Sequence, residues 1–199
     1  MFKNYLNVAF RNLWKNKVYA SINILGLAIG MGACIVIMLF VFYEKSFDNF
    51  HPKNIYRLNE VQKFEGMVSS QKVGLSMFPM GPTLKNDVPE IKNFTRIQWT
   101  DKYQMTNGDR RMYLESGYFV DSTFLQLFNF KLIKGNDKTV LQKPNSAVLT
   151  KESAEKLFGK ADPIGKTITH YGGDTLNFIV TGVIENEPET SQLHYGALF

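Results

Sequence analysis

The sequence predicts an α+β protein in which a single transmembrane helix carries a mixed antiparallel-sheet and helix domain. Three observations point to that class. Residues 18–43 run for 26 positions without a charge. Two hairpin signals, Asn107-Gly108 and Gly172-Gly173-Asp174, separate stretches rich in β-branched and aromatic residues. Thr150 and Gly159 bracket a stretch of helical length in the positions of an N-cap and a stop.

The first 17 residues form an element of their own. Phe2, Tyr5, Leu6, Ala9, Phe10, Leu13 and Trp14 recur at spacings of three and four, the period of an amphipathic helix. Lys3, Arg11, Lys15 and Lys17 give it a charge of +4 with no acidic residue. Such a helix suits the cytoplasmic face of a lipid bilayer, its cations beside anionic head groups. The other 182 residues carry 19 basic against 18 acidic side chains. That balance gives no footprint for nucleic acid.

Val18 to Tyr43 has only Ser21 and Asn23 as clearly polar interruptions. As a helix it extends about 39 Å, enough to cross a hydrocarbon core of about 30 Å. Every backbone amide in hydrocarbon needs an internal partner, so the span must be helical. Four cations precede it, while Glu44, Lys45 and Asp48 follow. The positive-inside bias places the N-terminus in the cytoplasm and residues 44–199 outside. The apolar core is too long for a cleaved signal, and its end (Phe40-Val41-Phe42-Tyr43) is bulky, so the expectation is an uncleaved anchor. Gly26 and Gly30 make a GxxxG that Gly32 and Ala33 extend, a face on which another membrane helix can approach closely.

In residues 44–199, Ile55 to Phe64 reads as a strand after a break at Pro52. A short helix at Gly81-Pro82 runs through about Asp87 and stops at Pro89. Strands follow at Phe94–Trp99 and Tyr103–Thr106, with a return strand from Arg111 to Glu115. Ser122–Phe128 reads as helical and aromatic. Ala147–Leu149 is a buried strand, and Thr150 caps a helix ending at Phe158. Lys166–Tyr171 and Thr175–Ile184 form the second hairpin, and antiparallel pairing is expected throughout.

Catalytic chemistry finds little support. The lone Cys34 excludes an intramolecular disulfide and a cysteine-cluster zinc site, and His51, His170 and His194 are far apart. No metal or cofactor is expected. Gly159 to Thr167 superficially suggests a phosphate loop. Its glycines are six apart instead of five, Pro163 removes an amide, and a strand follows, so the segment reads as a turn. No GxSxG elbow is present. Glu185, Glu187 and Glu189 flank Pro188 in what reads as a solvated loop, and Asp48 with His51 reads as a local turn. No concentrated charge or exposed apolar run is expected to mark a partner surface on the outer domain.

Several stretches together resemble one family. Ala9-Phe10-Arg11-Asn12-Leu13-Trp14-Lys15-Asn16-Lys17 and Asn23-Ile24-Leu25-Gly26-Leu27-Ala28-Ile29-Gly30 are similar to the first membrane segment of bacterial ABC-transporter permeases of the MacB/FtsX-like type. Phe47-Asp48-Asn49-Phe50-His51 and Ile55-Tyr56-Arg57 resemble the exit from that segment. Pro89-Glu90, Arg96, Val120-Asp121-Ser122-Thr123-Phe124 and Phe128 resemble the middle of the MacB-like periplasmic core domain. Pro144-Asn145-Ser146-Ala147-Val148-Leu149-Thr150, Phe158-Gly159 and Asp162-Pro163-Ile164-Gly165-Lys166 resemble its latter half.

The resemblance implies an inner-membrane permease subunit without catalytic residues, dimeric with another permease and served by a separate cytoplasmic ABC ATPase. ATP-driven closure would pass through the membrane helices to the periplasmic domains, for export or mechanotransmission. Relatives have three further membrane helices and a cytoplasmic docking loop, so the expectation is the N-terminal part of such a permease with an incomplete outer domain. The alternative is a single-pass anchored binding or sensor module that recruits a periplasmic partner.

Overall fold

The computed structural model describes residues 2–51, 54–63, 71–100, 102–114, 116–172 and 174–199. The chain is α+β and divides into two compact units, with the boundary between Phe47 and Asp48.

The first unit is helical. Helix α1 spans Phe2–Lys15 and helix α2 spans Lys17–Ser46. Neither proline nor glycine separates them; only Asn16, at φ −109° and ψ 42°, leaves helical geometry. Backbone hydrogen bonds cross the junction, from Asn16 N to Asn12 O and from Ala20 N to Asn16 O, both 3.0 Å. At 30 residues, α2 is about 45 Å long. None of its residues is buried by the rest of the chain. Among the described residues it is the one helix long and apolar enough to cross a membrane.

The second unit begins with a small ribbon, β1 (Glu60–Gln62) antiparallel to β2 (Gln71–Val73). The strand expected over Ile55–Phe64 is thus shorter than its sequence pattern, and Pro52 and Phe64 lie outside the described residues. Helix α3 (Met80–Asp87) keeps Pro82 in its first turn, where a missing N–H costs nothing. Then come β3 (Ile97–Thr100), β4 (Tyr103–Asn107), β5 (Arg110–Leu114), β6 (Gly117–Val120), α4 (Phe124–Leu127) and β7 (Leu132–Lys134). Strand β8 (Ser146–Thr150) leads directly into α5 (Lys151–Phe158), followed by β9 (Thr167–Gly172), β10 (Asp174–Ile184) and β11 (Ala197–Leu198).

Helix α5 forms where its caps placed it. Thr150 Oγ1 accepts from Ser153 N, and Gly159 closes the helix at φ +62°, the left-handed region a glycine enters freely. The β4–β5 hairpin forms one residue later than the Asn-Gly signal implied. Asn107 pairs with Arg110, so the central residues are Gly108 and Asp109, and only Gly108 has positive φ. Gly173 and Glu115 fall outside the described residues.

The nine-stranded sheet runs β3-β6-β11-β8-β10-β9-β4-β5, with β7 beside β10. Most pairs are antiparallel, as expected. Two are parallel, β8 with β10 and β6 with β11, because α5 and the β9 hairpin carry the chain back across the sheet.

The sheet is rolled, and the connections require it. β3 and β4 stand six strand intervals apart in that order, about 29 Å across a flat sheet at 4.8 Å each. Thr100 and Tyr103 are three residues apart, a reach of about 11 Å. The same mismatch separates β5 from β6. Close packing follows inside the roll: a Cβ added at Gly117 would collide with the Tyr103 hydroxyl.

Two cores lie on opposite faces of β8, which is why all five of its residues are buried. Ala147 and Leu149 face α5 residues Ala154, Leu157 and Phe158, together with Met105, Ile168, Phe178, Val180 and Phe199. Val148 faces Phe124, Leu125, Val140, Ile184, Tyr195 and Leu198.

Candidate functional site

On α2 the glycines Gly26, Gly30 and Gly32 leave a gap: a Cβ added at any of them would meet nothing within 4 Å. Around them the apolar side chains are open, Ile24, Leu27, Ile29 and Ile35 among them. Cys34 shares that exposure as a free thiol. On α1, Tyr5, Phe10 and Trp14 are equally unburied, and Lys3, Arg11 and Lys15 are exposed on the same helix, with Lys17 opening α2. Apolar surface left this bare needs a lipid or protein environment.

Where the chain enters the second unit, the segment Asp48–His51 is fastened at several points. Asp48 adopts φ +55°, a left-handed conformation that a short polar side chain tolerates. Its N–H donates to Thr190 O at 2.9 Å, and its Oδ1 accepts from Gln192 N at 3.1 Å. His51 N donates to Asp48 O at 3.1 Å, so the expected local turn is present. It is also tied to distant chain: Asn129 N donates to His51 Nδ1 at 3.2 Å, and Asn129 Nδ2 donates to Phe50 O at 3.1 Å. The imidazole lies among Phe50, Phe128 and Phe130, with centroids 4.0–5.0 Å away. Burial lowers the His51 pKa, and the nearby Asp48 carboxylate works against that shift without reversing it.

A second fastening joins residues that the resemblance had grouped only by order. Arg96 forms a bidentate pair with Asp121, Nη2 to Oδ1 at 2.6 Å and Nε to Oδ2 at 2.9 Å, while its backbone N–H also reaches Oδ2 at 2.8 Å. Burial raises the Asp121 pKa, but the Arg96 donors outweigh it and hold the carboxyl below its usual range. The guanidinium lies 4.0 Å over the Phe78 ring, and Thr123 Oγ1 donates to Phe94 O at 2.6 Å. The exposed run around Phe78 departs from expectation: Leu75, Met77 and Phe78 are each about two-thirds exposed. The apolar letters Leu75-Ser76-Met77-Phe78-Pro79-Met80 carried that signal in the sequence. Nothing local announced Asn129, Thr190 or Gln192, because their partners lie 78 to 144 residues away.

The segment Gly159–Thr167 is a turn. Gly159 and Gly165 both have positive φ, Asp162 Oδ1 accepts from Ile164 N and Lys134 Nζ, and β9 follows. Glu185 pairs with Lys131 at 2.6 Å, and Glu187 lies 3.8 Å from His194. Among the described residues no three His, Cys, Asp or Glu side chains converge to hold a metal.

The fold defines the class: an α+β protein in which a long, unburied apolar helix precedes a rolled sheet-and-helix domain. The family model described as "MacB-like periplasmic core domain" matches residues 20–198, so the chain belongs to that family, which occurs in ABC-transporter permeases. No curated relative matches. Among solved structures, a domain assigned to a permease protein of Porphyromonas gingivalis superposes with TM-score 0.57 at 18% identity, over 66% of this chain and 55% of that one. The likeness establishes the shared fold, and this chain spans only 55% of that relative's length. The extracellular domain of the noncanonic ABC-type transporter YknZ from Gram-positive bacteria matches at TM-score 0.45 and 20% identity, over 59% of this chain and 58% of that one. The periplasmic region of MacB from Actinobacillus actinomycetemcomitans matches at 0.44 and 18%, over 59% and 60%.

Proposed function

We propose that the chain is the N-terminal part of a permease subunit whose outer domain moves in response to ATP hydrolysis by a separate cytoplasmic ABC ATPase. The observation that carries this reading is the reach of the family match, which runs from within α2 to β11 and so takes in the apolar helix and the outer domain together. On this reading α2 crosses the inner membrane with its N-terminus in the cytoplasm and residues 44–199 outside. Helix α1 lies in the cytoplasmic interface through Lys3, Arg11, Lys15 and Lys17, and Gly26, Gly30 and Gly32 receive another membrane helix of a dimeric permease. The chain performs no catalysis; it transmits movement for export or mechanotransmission.

The test labels single cysteines in a Cys34→Ser background with a membrane-impermeant maleimide in intact cells. Lys138→Cys should react, and Lys15→Cys should react only after lysis. The reverse pattern would overturn the orientation. In membranes holding the partner ATPase, ATP should change the labelling rate of Lys138→Cys by several-fold. A rate indifferent to ATP, with the orientation intact, would leave the alternative of an anchored binding or sensor module.

A further inference from the structure

The four residues after Phe47 do more than turn the chain. We propose that Asp48–His51 is a proton-gated clasp, closed while Asn129 N–H donates to a neutral His51 and opened when that imidazole takes up a proton. It concerns the outer domain alone and stands whether or not the permease reading holds.

The geometry fixes the argument. Nδ1 of His51 is the acceptor of the Asn129 amide, so the neutral ring carries its proton on Nε2. Nε2 is buried and has no hydrogen-bond partner among the described residues. A second proton can enter only at Nδ1, where it sets donor against donor and ends the contact with Asn129. The ring's neighbours Phe50, Phe128 and Phe130 supply no counter-charge. Among the described residues of the outer domain, the charged groups that adjoin the clasp along the chain are Asp48, Lys131 and Glu189. Asp48 is on the clasp itself and favours the charged ring. Lys131 follows the aromatic loop but is paired with Glu185. Glu189 precedes Thr190 and is exposed. The loop 128–130 and the segment 190–192 bring no charge of their own.

The other bonds of the clasp are arranged around the same segment. Asn129 holds Phe50 O by its side chain while holding His51 by its backbone, so loss of the His51 contact loosens both. The Asp48 contacts to Thr190 and Gln192 do not involve the imidazole and should outlast it.

The test uses the full chain in detergent micelles. Imidazole nitrogen shifts should show Nδ1 unprotonated at pH 7.5. As pH is lowered to 4.5, hydrogen-exchange protection of the Asn129 amide, corrected for intrinsic exchange, should fall at least tenfold in step with the His51 titration. The Val180 amide in β10 should fall by less. In His51→Phe, which keeps a ring but no acceptor, Asn129 should be poorly protected at both pH values while Val180 follows the wild type. A proton on Nδ1 at pH 7.5, or a His51 titration that leaves Asn129 protection unchanged, would overturn the clasp. The nitrogen shifts and the wild-type titration decide the matter even if His51→Phe does not fold.

Discussion

His170 on β9 is 5% exposed, with both ring nitrogens buried and without a hydrogen-bond partner among the described residues. Tyr103 lies 4.4 Å from its ring centroid and Phe199 5.7 Å, while Phe119 and Phe178 complete an aromatic enclosure at just over 6 Å. Burial therefore lowers its pKa. Well above pH 6.5 the imidazole is neutral in both folded and unfolded chains, and stability does not depend on it. As pH falls below 6.5 the unfolded chain takes up a proton that the folded core refuses, so stability drops. One such group contributes at most about 1.4 kcal/mol per pH unit, or about 2 kcal/mol between pH 6.5 and 5.0. Against a typical domain stability of about 5–15 kcal/mol that is a measurable share. Urea unfolding followed by circular dichroism at pH 7.5, 6.5, 5.5 and 5.0 gives the slope. His170→Phe should remove this histidine's share of it, leaving the part due to His51. The readout is the slope, so any packing cost of the larger ring, which acts equally at every pH, cancels. A wild-type stability flat from pH 7.5 to 5.0, or an unchanged slope in His170→Phe, would refute the reasoning.

Leu157→Ala deletes a fully buried side chain between α5 and the sheet and should cost about 2–5 kcal/mol in the same urea assay; a loss below about 1 kcal/mol would mean that α5 is not the cover of that core. Asp121→Asn keeps the shape of the carboxylate but ends the charged pair with Arg96. With the guanidinium side chain about one-third exposed, the expected loss is about 1 kcal/mol, read as a lower urea midpoint at neutral pH.

The elements legible in the sequence are those whose cause is local. α2 follows from a charge-free run, α5 from Thr150 and Gly159, and the two hairpins from their turn residues. Strands β6, β7 and β11 were not foreseen: each has four residues or fewer, too short for an alternating pattern, and each is held by neighbours far along the chain. The parallel pairing of β8 with β10 has the same origin, since a strand buried along its whole length does not reveal its partner's direction. At the candidate site, the Asp48–His51 turn was readable, whereas its fastening to Asn129 and Gln192 is a product of the roll. The glycines of α2 and the cations of α1 are visible in the sequence without the fold, and their roles in helix packing and at the membrane interface belong to the proposal above.

The position of β11 has a kinetic consequence. Residues 197 and 198 lie between β6 and β8, within the sheet, although they follow the ten strands β1–β10 in the sequence. Until they arrive, β3 and β6 have no route to the other strands, and β8 has a bare edge where β11 belongs. The roll thus closes only after synthesis of the whole segment, through contacts of high sequence separation that form slowly. In that interval the apolar edge of β8 is open to wrong partners, a window in which chaperones outside the ribosome have something to bind.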